Sequence, residues 1–265
     1  MSSNGCNPMN SRLLVRSVEF PINLAFSPLA GILAAGNRAM LKPSELTPRT
    51  AELLAKLIRQ YFDPLELTTI LGDADIGAAF SAQAFDHLMF TGSTNVGRHV
   101  MRAASENLVP VTLELGGKSP VVLDADADVK TAAERVLTVK TFNAGQICIS
   151  PDYVLLPENA RDVFVERARS FVTETFPALQ DNPDYTAIIS DRHFERLQGL
   201  LADARAKGAT VIELQPEGEA NSVAGNRKMA PTLVLNPTDE MSVMQEEIFG
   251  PILPIKNLSD HPGSR

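Results

Sequence analysis

The sequence predicts an α/β protein built on wound parallel sheet. Three observations carry that prediction. Short strand-like runs alternate with helical apolar stripes through most of the chain. Clusters of polar residues and glycine follow the ends of strand runs at 42–45, 91–93 and 114–117. Apolar residues make up 44% and charged residues 21% of the 265 residues, so a packed core is expected rather than disorder.

Residues 1–19, MSSNGCNPMNSRLLVRSVE, have no sustained period and are rich in Ser and Asn. They read as an unrelated or disordered arm. From Phe20, small and apolar residues fall at helical spacing through Leu24, Gly31 and Ala35. Ala39 to Leu41 reads as a short buried strand, with Lys42, Pro43, Ser44 and Glu45 at its carboxyl end. Thr47 is placed to cap the next helix and Pro48 suits its first turn. Leu54, Leu57, Ile58 and Tyr61 then form one stripe. Thr68 to Leu71 is a strand, 76–84 a helix, and His87 to Phe90 a strand ending at Thr91-Gly92-Ser93. Val96, Val100 and Ala104 mark the following helix. Val111 to Glu114 and Pro120 to Leu123 are strands flanking Gly116-Gly117, where the glycines suit a boundary between lobes. The second half alternates likewise. Helical stripes run through Val129–Lys140, Phe164–Val172 and Phe194–Ala204, and strands cover 154–156, 211–214 and 232–235. Residues 216–228 read as a polar loop. Ligands of wound sheets sit at the carboxyl ends of the strands, so the three polar clusters are expected to serve one crevice.

Composition narrows the function classes. A net charge of −8 and scattered Lys and Arg argue against nucleic-acid or anionic-membrane binding. The two cysteines, Cys6 and Cys148, have neither CxxC nor zinc spacing, so no metal site and no disulfide framework is expected. No apolar run is long enough to span a membrane and no signal-peptide pattern occurs, so a cytoplasmic location is expected.

Four segments can carry chemistry, and each has a plainer reading. FTGSTNVG (90–97) places Gly92 and Gly97 between strand and helix, as a turn under a pyrophosphate or merely a tight turn. Lys42 and Glu45 can bind the two ribose hydroxyls of an adenosine, or form a solvated pair. Glu114 ends an apolar strand before a glycine pair, as a partly desolvated general base or as a helix-cap or surface acid. Cys148, in FNAGQICISPDY (142–153), is an accessible thiol on a turn-forming segment or a small buried hydrophobe. EEIFGP (246–251) by itself reads as a loop.

Together and in order, AAGNRAMLKPSE, FTGSTNVG, LELGGKSP, FNAGQICISPDY and EEIFGP resemble the aldehyde dehydrogenase superfamily over about Phe20 to Ile255. The PDY after the cysteine and the KPSELT form are similar to the class 3 and coniferyl aldehyde dehydrogenase branch. The resemblance implies an α/β aldehyde dehydrogenase fold, incomplete here, with a Rossmann-like cofactor lobe and an α/β catalytic lobe. The expected organisation is an arm over 1–19, a partial NAD(P)-binding lobe over 20–115, a catalytic lobe over 116–255 and a tail over 256–265.

The resemblance also implies site roles. Cys148 matches the nucleophile and Glu114 the residue that activates hydrolytic water. Lys42, Ser44, Glu45, Gly92, Ser93, Gly97, Leu115, Glu247 and Phe249 match cofactor-binding positions. Lys42 and Glu45 fall on the adenosine ribose, Leu115 near the nicotinamide, Glu247 on its ribose and Phe249 beside it. Glu45 would repel a 2′-phosphate, so NAD is favoured, with NADP possible. The substrate implied is a small aldehyde, of coniferyl type by branch, and intact family members form homo-oligomers.

Three departures accompany the match. Ser17-Val18-Glu19 stand where the family has Pro-Trp-Asn, so the amide donor to an oxyanion is replaced by a carboxylate. The family's N-terminal and C-terminal portions are not matched, which suggests a truncated reading frame or a fragment. A catalytically impaired remnant that binds dinucleotide only, or a residual thiol esterase, are the alternatives to a working dehydrogenase.

Overall fold

A computed structural model describes the backbone of 11–15 and the residues 20–219 and 225–258. The chain divides into two compact units, residues 1–116 and 117–265.

The first unit holds five parallel strands: β1 (Ser11–Val15), β2 (Ala39–Lys42), β3 (Leu67–Thr69), β4 (His87–Gly92) and β5 (Val111–Leu115), in the order β3-β2-β1-β4-β5. Four helices lie between them: α1 (Asn23–Ala34), α2 (Pro48–Tyr61), α3 (Ala74–Ser81) and α4 (Thr94–Ser105). Side chains alternate across the sheet, so both faces need apolar cover. Ala39 and Leu41 pack with Ala25 and Leu29 of α1 and Ile58 of α2. Leu88 and Phe90 pack on the other side with Phe80 of α3 and Val100 and Ala104 of α4. Strands run outward in sequence to one side of β1 and then resume on its other side at β4, which places the reversal of strand order between β1 and β4.

The second unit holds β6 (Pro120–Val122), α5 (Val129–Thr141), β7 (Tyr153–Leu156), α6 (Arg161–Thr175), α7 (Asp191–Ala206), β8 (Thr210–Glu213), β9 (Thr232–Leu235), α8 (Ser242–Gln245) and β10 (Ile252–Asn257). Its sheet order is β6-β7-β10-β9-β8, parallel except for the β8–β9 pair. Leu233, Leu253 and Ile255 face Leu137 of α5 and Phe164 of α6. Val234 and Ile252 face Leu197, Leu201 and Ala204 of α7. Asp128 caps α5 by accepting from the backbone of Lys130 and Thr131, and Ser190 caps α7 by accepting from His193 N.

Three sequence expectations are corrected. Ser11–Val15 is not a disordered arm but the central strand of the first sheet, paired with β2 and β4. The tail expected from residue 256 begins inside β10, which runs to Asn257 between β7 and β9. Thr47 makes no side-chain cap on α2; its hydroxyl instead donates to Ser44 O at 3.5 Å. The departure at Ser17-Val18-Glu19 lies outside the described residues, as do Cys6 and residues 259–265.

Candidate functional site

In the first unit, parallel strands bring three sequence clusters to one sheet edge. Lys42 ends β2, Gly92 ends β4 and Leu115 ends β5, with Thr91 opposite Glu114 and Gly92 opposite Leu115. Lys42 is fully buried, and its ammonium donates to Glu45 Oε2 at 3.0 Å and to Pro43 O at 3.2 Å. The pair is therefore preassembled rather than solvated. Ser44 is buried and its hydroxyl accepts from Leu46 N at 3.2 Å, which shapes the turn carrying Glu45. Beyond β4, Ser93 caps α4 by accepting from Val96 N at 3.4 Å. Ser93, Thr94 and Asn95 are exposed, so the helix N-terminus opens to solvent. Gly97, one turn in, sits so close to Leu115 that a Cβ would lie 3.0 Å from its Cδ2. Glu114 is exposed, which agrees with the surface-acid alternative rather than with a desolvated carboxylate.

In the second unit, Cys148 follows a run of three left-handed residues, Asn143 (φ 51°), Ala144 (φ 52°) and Gly145 (φ 71°). Such conformations cost about 1–2 kcal/mol for each non-glycine residue and persist only where surroundings fix them. Those surroundings are visible. Asn143 Nδ2 donates to Gln146 O at 3.1 Å and Gln146 Nε2 donates back to Asn143 O at 3.0 Å. Gln146 also donates to Ala187 O at 3.3 Å and accepts from Ile189 N at 3.0 Å. A Cβ on Gly145 would stand 2.4 Å from Gly250 O, so this turn is pressed backbone to backbone against the EEIFGP loop. Cys148 itself is half-buried.

The EEIFGP loop is held from three elements. Lys118 donates to Asp152, to Val243 O at 2.8 Å and to Glu246 O at 3.1 Å. Asp152, 2% exposed, accepts from Ile248 N at 3.0 Å. Arg196 of α7 donates to Glu247 O at 3.4 Å and to Ile248 O. Burial pushes the Arg196 guanidinium below its ordinary value, against the attraction of Glu246, Glu247 and Asp152. Phe249 takes a left-handed φ of 49°, completing the bend before Gly250. Backbone around Glu247 and Phe249 is thus fixed by charge-assisted bonds, while the thiol segment is fixed by side-chain amides and a glycine contact.

A sequence profile of the aldehyde dehydrogenase family matches residues 7–262. The chain belongs to the aldehyde dehydrogenase family. It is 66% identical over 242 residues to a coniferyl aldehyde dehydrogenase of Pseudomonas sp. (strain HR199 / DSM 7063), covering 91% of this chain and 50% of that relative. Among solved structures, the substrate-bound state of Staphylococcus aureus AldH superposes with TM-score 0.84 at 40% identity, over 94% of this chain and 53% of the other. A betaine aldehyde dehydrogenase of Staphylococcus aureus, in complex with NAD+, gives TM-score 0.84 at 27% identity, over 94% of this chain and 50% of the other. The chain thus spans about half the length of the relatives it matches. The expected α/β aldehyde dehydrogenase fold is present in that half. No helix among the described residues is long and apolar enough to cross a membrane.

Within this aldehyde dehydrogenase domain, each unit gathers its own share of the expected site residues. Lys42, Ser44, Glu45, Gly92, Ser93, Gly97, Glu114 and Leu115 lie along the strand-end edge of the first unit. Cys148, Glu247 and Phe249 lie on the two mutually packed loops of the second. Sequence reading missed Lys118, Lys140, Asp152 and Arg196. Lys118 and Asp152 were inside quoted motifs, and their charge beside glycine and proline was the available signal. Lys140 falls on the helical stripe Val129–Lys140 without a role of its own, and Arg196 sits in an amphipathic helix, where a lone cation reads as a solvated one.

Proposed function

We propose that this chain carries the catalytic core of an NAD-dependent aldehyde dehydrogenase acting on an aromatic aldehyde of the coniferyl type. The observation that carries the reading is the Cys148 loop: a strained left-handed turn locked against the loop bearing Glu247 and Phe249. Strain of that kind, fixed on several sides, suits a nucleophile that must be held at one distance from its target. The relatives' names supply the aldehyde class.

The first-unit edge fits a dinucleotide. It combines the reversal of strand order, an exposed helix N-terminus at Ser93–Asn95 and the preassembled Lys42–Glu45 pair. Lys42 and Glu45 would hold the adenosine ribose, Ser44 would set their turn, and Gly92, Ser93 and Gly97 would let backbone approach the pyrophosphate. The family resemblance assigns Leu115 to the nicotinamide, Glu247 to its ribose and Phe249 to a position beside that ribose. When bound, NAD supplies the hydride acceptor.

Cys148, as thiolate, attacks the aldehyde carbon and gives a tetrahedral thiohemiacetal. Loss of hydride from that carbon restores the carbonyl as a thioester on Cys148. Glu114, exposed at the end of β5, takes a proton from water as the water attacks the thioester. The carboxylic acid leaves and the thiol is regenerated. Glu19 stands at the position where the family carries an oxyanion-donating Asn, so turnover below the ordinary enzyme value of about 10 s⁻¹ is expected.

The test is NADH formation from coniferyl aldehyde and NAD, run beside Cys148→Ser and Glu114→Gln. Cys148→Ser should abolish it. Glu114→Gln should give one NADH per chain and then stall as an acyl-enzyme visible by mass spectrometry. Equal turnover in Cys148→Ser would overturn the proposal.

A further inference from the structure

Lys140 is the most deeply buried cation of the second unit among the described residues, at 1% exposure, and the mechanism above gives it no part. It closes the last turn of α5, ahead of the left-handed run. Its ammonium donates to Pro151 O at 2.9 Å, eleven residues along the chain. That bond ties together the two ends of the segment that contains Cys148. The backbone of Lys140 also lies close to the left-handed run, because a Cβ on Gly145 would stand 3.1 Å from Lys140 O.

Other fixings of the segment hold its left-handed half. Gln146 anchors to Ala187 and Ile189, and Gly145 rests on Gly250. In the arm from Cys148 to Pro151, Ser150 N donates to Ile147 O at 3.0 Å, a bond internal to the segment, and beyond it Asp152 N donates to Ser119 O at 2.8 Å. Ser150, within that arm, has a buried hydroxyl with no hydrogen-bond partner, so its own side chain adds no tie. We propose that Lys140 is a positioning residue for Cys148: its side chain staples the neck of the nucleophile's loop through Pro151 O and thereby sets where the thiol stands. The proposal rests on the reading of Cys148 as nucleophile only for its catalytic consequence; the staple itself is a statement about the loop.

The charged groups facing Lys140 are Asp152 and Glu247, which favour the ammonium, and Lys118, which opposes it. Burial outweighs them and pushes the ammonium down to about 8. An opened neck returns Lys140 to water and to an ordinary value of about 10.4. Linkage then fixes the sign: the closed neck gains on the open one as pH rises past 8.

Hydrogen exchange read by mass spectrometry tests this without any need for turnover. In Lys140→Met, opening of 143–151 should rise at least tenfold while α6 and β9 keep their protection. Lys140→Arg, which retains a donor, should restore most of the lost protection. In the unaltered chain, exchange of 143–151, corrected for its intrinsic rate, should show about tenfold less opening at pH 9 than at pH 7. If the dehydrogenase reading holds, Lys140→Met lowers kcat with KM for NAD unchanged. Exchange in Lys140→Met that matches wild type, or that rises equally across the whole unit, would overturn the staple. If Lys140→Met does not fold, Lys140→Gln, whose shorter side chain falls short of Pro151 O, takes its place, and exchange of 143–151 matching wild type in that variant overturns the staple equally. Absence of turnover in the unaltered chain, with exchange as described, leaves the staple standing and counts against the dehydrogenase reading alone.

Discussion

Gly145→Ala tests how the two loops of the second unit hold each other. The new Cβ would lie 2.4 Å from Gly250 O, 2.7 Å from Gly250 C and 3.1 Å from Lys140 O. An unstrained carbon-to-oxygen approach is about 3.3 Å, so one backbone must retreat by roughly 0.9 Å. Gly250 cannot retreat simply, since a substituent there would already meet Leu197 Cδ2 at 2.5 Å. The residue also sits at φ 71°, where alanine loses about 1–2 kcal/mol. Adding about 1–3 kcal/mol for forced repacking gives a destabilisation of about 2–5 kcal/mol. For a unit of this size that corresponds to roughly 4–20 °C in melting temperature. Displacement of the thiol by most of an ångström adds about a hundredfold loss of any Cys148-dependent rate. The assay is a thermal melt followed by circular dichroism, with Gly117→Ala as control, because a Cβ on Gly117 meets nothing within 4 Å. A Gly145→Ala melt within 1–2 °C of the Gly117→Ala melt, an interval worth only about 0.5 kcal/mol, would refute the reasoning.

Tyr185 is almost wholly buried and its hydroxyl donates to Met229 O at 2.7 Å, so Tyr185→Phe strands that carbonyl and should cost about 1–3 kcal/mol, read as a lower urea midpoint. Burial depresses Lys140 to about 8 when folded, against about 10.4 unfolded, so the unfolded chain holds the extra proton between those values. A penalty of about 3 kcal/mol present below pH 8 is therefore relieved as pH rises toward 10.4, and the urea midpoint of the wild type should climb relative to Lys140→Met between pH 7.5 and 9.5; a constant difference would contradict this. Glu19→Asn restores an amide at the family's oxyanion position and should raise NADH formation by about 10²–10³. An unchanged rate in that variant would locate the defect elsewhere.

Much of the architecture was legible because two periods dominate it. Leu88 and Phe90 alternate along β4, and Leu197, Leu201 and Ala204 repeat along α7, and both patterns match the faces that are buried. β1 was not legible. Ser11–Val15 is short, flanked by polar residues, and is a strand only because β2 and β4 offer it hydrogen bonds on both sides. β10 was hidden by Pro254, which lacks a donor and argues against a central strand, yet pairs with Val234 inside the sheet. At the site, Cys148 and the glycines stood out as motif residues. Their supports did not. Lys140 falls on the stripe of α5 in the sequence, but a cation there carries no sign of the Pro151 carbonyl it meets, which only the tertiary fold supplies. Nor does sequence announce that Asn143 and Ala144 are left-handed, since neither needs to be in isolation.

The position of β1 has a consequence for how this domain meets other chains. It is the keystone between β2 and β4, and it is contributed by a segment that precedes β2 by more than twenty residues. Proteolysis just after Val15, or deletion of Ser11–Val15, would open a slot about 9–10 Å wide, two interstrand spacings, between the pairs β3-β2 and β4-β5. Both walls of that slot would present unsatisfied backbone donors and acceptors in parallel register. Such a slot accepts a strand from any chain that offers one. A clipped molecule would thus keep a slot of the right width and parallel register to take back the peptide it had lost.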